Sequence, residues 1–149
     1  MVNTKIIADL PIELGIKRTY KGYFFLIAAL ELAITDQKNL LYMSKSIFPV
    51  IAARYGTTYS CIERNIRTAI NACWNSPNRE KLLTMSPYPL QKAPSVTAFI
   101  DILYWYLKNQ EGGSLYYTVL SIVNWFQFIH HISREDCIPY SITVDLYRF

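Results

Sequence analysis

The chain has 149 residues, of which 52% are hydrophobic and 17% are charged. This composition excludes an intrinsically disordered protein, because disorder requires low hydrophobicity and high charge. The formal net charge is +4, but residues 15–92 carry eleven Lys or Arg against four Asp or Glu, whereas residues 109–149 carry two against four. The basic body favours a polyanionic partner, and the C-terminal segment does not share this property.

The first predicted elements are two helices. We expect one over residues 4–14, interrupted only by Pro11 and ended by Gly15. The second covers residues 22–35 and is apolar almost all round, with Glu31 as its only charge. A helix without a polar face is typical of the centre of a core.

The next predicted helix spans about residues 37–47, with Asp36 as its N-cap. Its apolar face is predicted to contain Leu40, Leu41, Met43 and Ile47.

A proline and a glycine then delimit a short helix. Pro49 suits its first position, Ile51 and Ala52 are expected to face inward, and Gly56 suits a sharp exit after Tyr55.

The following helix, predicted over residues 59–75, is the clearest amphipathic element of the chain. Thr57, Thr58 or Ser60 is its predicted cap, and Ser60 and Glu63 have the spacing of a capping box. Its apolar stripe is Ile62, Ile66, Ala69, Ile70 and Cys73. Its opposite face is Ser60, Arg64, Arg67, Thr68 and Asn71, with Cys61 at the margin.

A polar segment with several prolines, residues 77–94, is predicted to be a connection without helices. Ser95 then caps a last core helix over about residues 96–108. One face of that helix collects Phe99, Ile100, Leu103 and Leu107. Gly112 and Gly113 are expected to form a hinge.

The polar face of the 59–75 helix has two interpretations. A solvated surface is the usual one for an amphipathic helix. Three features favour DNA. A tight Gly-Thr-Thr turn joins the helix to a short preceding helix, and its outward groups can bond base edges. The neighbourhood is also basic, including Lys45 and Arg54, and can neutralise phosphates. Arg64 and Arg67 are about 4.5 Å apart along the axis, which suits neighbouring base pairs.

Three motifs carry a family resemblance. They are Lys21-Gly22-Tyr23, Phe48-Pro49-x-Ile51-Ala52 and Glu63-Arg64-x-Ile66-Arg67-x-Ala69-Ile70, with a weaker match at Pro94 and Phe99-Ile100. Over residues 10–107 the chain resembles the C-terminal DNA-binding effector domain of the stage 0 sporulation master regulator of spore-forming Firmicutes.

The resemblance implies an all-α, compact six-helix domain with a helix-turn-helix, which reads a promoter box with the 59–75 helix in the major groove. It also implies two copies side by side on tandem boxes. Cys61 stands where the family usually has a basic residue, which puts the usual box in doubt. The receiver domain of the family regulator is expected to be absent, so control by a phosphorylated aspartate is not expected.

We therefore predict a sequence-specific regulator that binds double-stranded DNA, with Glu63, Arg64 and Arg67 at the bases. Residues predicted to contact phosphates or flanking groups are Lys45, Arg54, Thr58, Ser60, Thr68 and Asn71. The alternative is a degenerate effector domain that binds another regulator, or itself, through an aromatic tail.

The predicted division places the effector-like domain at residues 1–109 and a tail at 110–149. The tail is expected to contain an aromatic helix over about residues 115–132, which is too polar to favour a membrane span, and then a short extended arm. Single-strand binding by the run from Lys17 to Lys21 is a minor alternative.

No set of residues typical of an enzyme, a cofactor site or a metal site stands out. Cys61, Cys73 and Cys137 are too few and too scattered for a disulfide framework or a tetrahedral zinc site. His130 and His131 point about 100° apart on a helix and rarely share one ion. The N-terminus has no signal-peptide pattern, so the expected location is the cytoplasm.

Overall fold

A computed structural model of the protein describes residues 3–111. All of them belong to one of the two compact units into which the chain divides, Met1–Ser114. The predicted Gly112-Gly113 hinge, the aromatic helix over 115–132 and the extended arm lie outside the described residues. The predicted domain boundary at residues 109–110 therefore stays a prediction.

The described residues form an all-helical domain without strands, as predicted. Six of its α-helices have seven or more residues, and a seventh is a single turn. In chain order they are α1 (Thr4–Glu13), α2 (Lys21–Thr35), α3 (Met43–Ser46), α4 (Phe48–Tyr55), α5 (Tyr59–Trp74), α6 (Arg79–Met85) and α7 (Val96–Glu111).

The first two helices agree with the sequence prediction. The side chain of Asn3 caps α1, and Pro11 is tolerated in its last turn. Gly15 follows with a φ of 79°, a conformation that a glycine adopts without steric cost. α2 is buried along most of its length, which confirms its central position.

The single helix predicted over residues 37–47 is wrong. Asp36 does cap a helical turn, but that turn is a 3₁₀ helix over Gln37–Leu40, and α3 begins separately at Met43. Between them Tyr42 leaves the helical region, with φ −135° and ψ 48°. The break allows Met43 to be buried while Leu41, which was predicted to face inward, is 74% exposed.

A helix-turn-helix follows. Helix α4 begins one residue before the predicted Pro49 and buries Ile51, while Ala52 is partly buried. Gly56 ends it in the left-handed region with φ 58°, as expected from its sequence position. α5 then begins at Tyr59, two residues after Thr57.

The proline-marked connection over residues 77–94 contains a helix that the sequence analysis missed. α6 buries Leu82 and Met85 against the core, and the prolines lie outside its bounds. α7 begins after Ser95, whose Oγ accepts a hydrogen bond from the Ala98 amide at 3.2 Å. All four residues of its predicted apolar face, Phe99, Ile100, Leu103 and Leu107, are fully buried.

A close approach of two backbones joins α2 to α5. A Cβ atom built on Gly22 would lie 2.3 Å from the main-chain oxygen of Asn65 and 3.2 Å from the Cβ of Ala69. Only a glycine permits this contact, so Gly22 sets the position of α2 against α5. Across residues 3–111, no helix is both long and apolar enough to span a membrane.

Candidate nucleic-acid interface

Helix α5 presents one polar face outward because its other face is buried. The predicted stripe of Ile62, Ile66, Ala69, Ile70 and Cys73 is at most 1% exposed. The residues predicted on the opposite face, Ser60, Arg64, Arg67, Thr68 and Asn71, are all exposed. The buried stripe therefore sets the rotation of the helix and directs both arginines toward solvent.

The two arginines of this face differ in their partners. Arg67 Nη2 lies 2.6 Å from Glu63 Oε1, an ion pair between positions i and i+4. Arg64 forms no ion pair with any residue that the structure describes, and it lies near the thiol of Cys61. Glu63 thus orients the guanidinium of Arg67, whereas no carboxylate of the described residues pairs with that of Arg64.

Thr58, and not Ser60, caps the helix. Thr58 Oγ1 accepts a hydrogen bond from the Cys61 amide at 3.3 Å. Ser60 lies inside the first turn, so the predicted capping box of Ser60 with Glu63 is wrong. The reason is that the extended backbone of an N-cap occurs at Thr58, where φ is −108° and ψ is 157°.

The two predicted phosphate-binding cations outside α5 lie in different surroundings. Lys45 is exposed in α3 and has no ion-pair partner among residues 3–111. Arg54 is exposed near the end of α4, and its Nη1 lies 3.6 Å from Glu31 Oε2 on α2. A phosphate would therefore compete with a carboxylate for Arg54 but not for Lys45.

The remaining predicted contacts are polar groups on α5. Thr68 Oγ1 donates to the carbonyl oxygen of Arg64 at 3.0 Å, so its oxygen can still accept another bond. Asn71 is exposed one turn further along the helix. These side chains extend the polar face toward its C-terminal half.

Cys61 is partly buried at the margin of the face. Asn65 Nδ2 donates to its carbonyl oxygen at 2.7 Å and to its sulfur at 3.3 Å. A hydrogen bond from Thr57 lowers the pKa of the Cys61 thiol, and the positive charges of Arg64 and Lys21 lower it further. Lys21 directly precedes Gly22, whose contact with Asn65 places it beside the first half of α5.

Lys21 is the residue of this region that the sequence analysis did not nominate. It belongs to the Lys21-Gly22-Tyr23 motif of the family resemblance and to the basic and aromatic run from Lys17 to Lys21, and neither pattern predicts a contact with double-stranded DNA for it. A signal existed in Gly22, because a glycine inside a helix often marks a close helix–helix contact, but the partner of that contact could not be read from the pattern.

Within residues 3–111, no group of three His, Cys, Asp or Glu is arranged to hold a metal ion. The pair His130-His131 and Cys137 lie outside the described residues.

The protein-family comparison gives a match over residues 7–107 to the family described as "Sporulation initiation factor Spo0A C terminal".

Proposed function

The chain belongs to the Spo0A C-terminal family, and from this premise we propose that it reads a promoter box with α5 in the major groove of double-stranded DNA. The family is one of DNA-binding regulatory domains of sporulation initiation, so the chain carries such an effector domain. Beyond this family assignment, we propose which helix enters the DNA groove, which residues contact the DNA and what each of them does.

One observation carries the proposal: the exposed face of α5 offers two guanidinium groups on a helix whose other face is buried. Arginine binds the O6 and N7 atoms of guanine through two parallel hydrogen bonds. A rigid helix presents these groups without the entropy cost of ordering a loop.

We assign base contacts to Arg64 and Arg67. Glu63 has two roles that its geometry supports: it orients the Arg67 guanidinium through the 2.6 Å ion pair, and its second carboxylate oxygen can accept a bond from a cytosine amine. We assign phosphate or flanking contacts to Lys45, Arg54, Thr58, Ser60, Thr68 and Asn71.

Two further predictions stay with this proposal. The resemblance implies that two copies bind side by side on tandem boxes, and binding to promoter DNA implies action in the cytoplasm. The alternative function, a protein-interaction module, depends on residues 115–132, which lie outside the described residues. No observation favours it.

The test begins with selection of bound sequences from a random duplex library by the full chain. We expect a short conserved box, and an unenriched library would contradict the proposed function. Arg64→Ala is then expected to cost about 1–3 kcal/mol on the selected box, because one bidentate base contact is lost, and to relax the preference at one position.

Arg79→Ala is the matched control, since Arg79 is an exposed arginine on α6 whose guanidinium lies 5.3 Å from the ring centre of Trp74. We expect it to leave the binding preference unchanged. Equal losses for Arg64→Ala on the selected box and on random DNA would show that Arg64 does not read a base.

A further inference from the structure

Two different elements border the polar face of α5, one along each side. At 100° per residue, Cys61 and Asn65 lie about 60–100° to one side of Arg64, and Glu63 and Tyr59 lie about 100–140° to the other. Asn65 of the first pair contacts Gly22 of α2, and Tyr59 of the second contacts Phe48 at the start of α4.

On the α2 side, Lys21 is the cation next to the contact with α5, and its charge acts on Cys61 of this flank. The backbones of α2 and α5 are in contact at Gly22 and Asn65, where a Cβ atom would approach an oxygen to 2.3 Å. Lys21 directly precedes this contact and is exposed. Its position next to the crossing is therefore set by backbone packing and does not depend on a flexible loop.

On the α4 side, Lys45 is the cation that precedes the contact between α4 and α5 in the chain. The rings of Phe48 and Tyr59 meet edge to face, with their centres 5.1 Å apart, and this contact fixes the start of α4 against the start of α5. Lys45 precedes Phe48 by about one helical turn and is exposed.

Both lysines lack an acidic partner among the described residues. Arg18, a few residues before Lys21, contrasts with them because its Nη2 lies 3.9 Å from Asp9 Oδ1. Lys21 is also the first residue of α2, where the helix dipole disfavours a cation. The charge of Lys21 therefore does not stabilise the helix or form an ion pair with a described residue, and such a charge is expected where it serves binding.

We propose that Lys21 and Lys45 bind phosphates on opposite DNA strands, one at each edge of the groove that α5 occupies. The inference rests on the proposed function. The major groove is about 12 Å wide and a helix with its side chains is about 10–12 Å across. Cations on the two flanks of the helix therefore meet the two phosphate rows that border the groove.

The experiment measures affinity of the full chain for the selected box and for a random duplex between 50 and 200 mM salt, conditions in the range where phosphate contacts dominate. Lys21→Gln is expected to weaken binding to both duplexes by the same factor. The slope of log K against log salt is expected to become shallower by about 0.9, the change for one phosphate. Lys92→Gln removes the same charge from an exposed position in the α6–α7 connection and is expected to leave the slope unchanged.

The strand assignment is tested by replacing single phosphates with neutral methylphosphonates. We expect one position at which the replacement weakens the wild-type protein but not Lys21→Gln. A second position, on the opposite strand, is expected to behave in this way for Lys45→Gln. Thermal unfolding followed by circular dichroism checks that both variants are folded.

The outcomes separate the two proposals. If the wild-type protein selects a box but Lys21→Gln keeps the full salt slope, or if both lysines map to the same strand, the phosphate assignment is wrong and the proposed function stands. If the wild-type protein binds all duplexes equally, the proposed function itself is wrong.

Discussion

At the scale of single residues, the cations around α5 differ in whether a carboxylate already holds them. Arg67 pairs with Glu63 and Arg54 pairs with Glu31, whereas Arg64 and Lys45 form no ion pair with a described residue. Exposed ion pairs contribute only about 0–1 kcal/mol to stability. A DNA phosphate can therefore displace either carboxylate from its arginine, but each carboxylate reduces the phosphate affinity of the arginine that it pairs with.

This arrangement predicts the effect of Glu31→Gln. The substitution releases Arg54, so we expect tighter binding to both the selected box and random DNA, with a salt slope steeper by up to about 0.9. The free energy of unfolding should change by less than about 1 kcal/mol, because the pair is exposed. Fluorescence anisotropy titrations over a salt series measure the first effect, and urea unfolding measures the second.

Glu13→Gln is the matched control, since Glu13 on α1 likewise pairs with a single cation: its Oε2 lies 2.5 Å from Nζ of Lys81 on α6. If both substitutions raise the affinity equally, the effect comes from net charge alone, and Arg54 does not contact a phosphate.

At the scale of the element, the residues in the first turn of α5 depend on which residue caps the helix. The sequence allows three caps, and the structure selects Thr58, whose side chain accepts from the Cys61 amide. The choice sets which residues fall in the first turn and therefore which lie near a bound duplex. The buried stripe that begins at Ile62 then fixes the rotation of the helix.

Thr58→Ala and Ser60→Ala distinguish the two caps. We expect Thr58→Ala to lower the free energy of unfolding by about 0.5–2 kcal/mol, the usual cost of a lost N-cap. Ser60→Ala should leave it unchanged or raise it slightly, because alanine has the higher helix propensity inside a helix. Urea denaturation of both variants is the measurement, and a larger loss for Ser60→Ala would show that the cap is misassigned.

At the scale of the whole molecule, the contact between α2 and α5 connects the core to the candidate interface. Gly22 allows the two backbones to touch, and the neighbouring Lys21 is carried to the flank of the polar face. The described part of the fold thus positions a cation from one helix beside the residues of another to which we assign base contacts.

Gly22→Ala should disturb this contact. The added methyl group would overlap the Asn65 main-chain oxygen, so the helices must separate, at a cost near the upper end of the usual 1–3 kcal/mol for overpacking. Gly56→Ala is the control, because no atom lies within 4 Å of its Cβ position and only the strain of its φ of +58° is added. Urea unfolding should therefore rank Gly22→Ala as the less stable variant, and the opposite order would contradict the close contact.

The sequence alone determined five of the six longer helices and the two faces of α5, because these follow from local patterns of apolar, capping and helix-breaking residues, and its motifs indicated the fold class through the family resemblance. Local spacing also explains the errors. The hydrophobic pattern over 37–47 continues through Tyr42, although the backbone leaves the helical conformation at that residue. The prolines around α6 indicate a loop, and the helix between them buries only Leu82 and Met85, which is too few residues for a recognisable pattern.

Only the tertiary structure decided which residues surround the polar face. Lys21 and Asn65 are distant in the chain, and no periodicity relates them; their proximity follows from the way α2 and α5 pack at Gly22. The same holds for Glu31 and Arg54, whose ion pair joins α2 to α4. A helix and its faces are properties of neighbouring residues, whereas a binding surface assembled from several helices depends on how those helices pack.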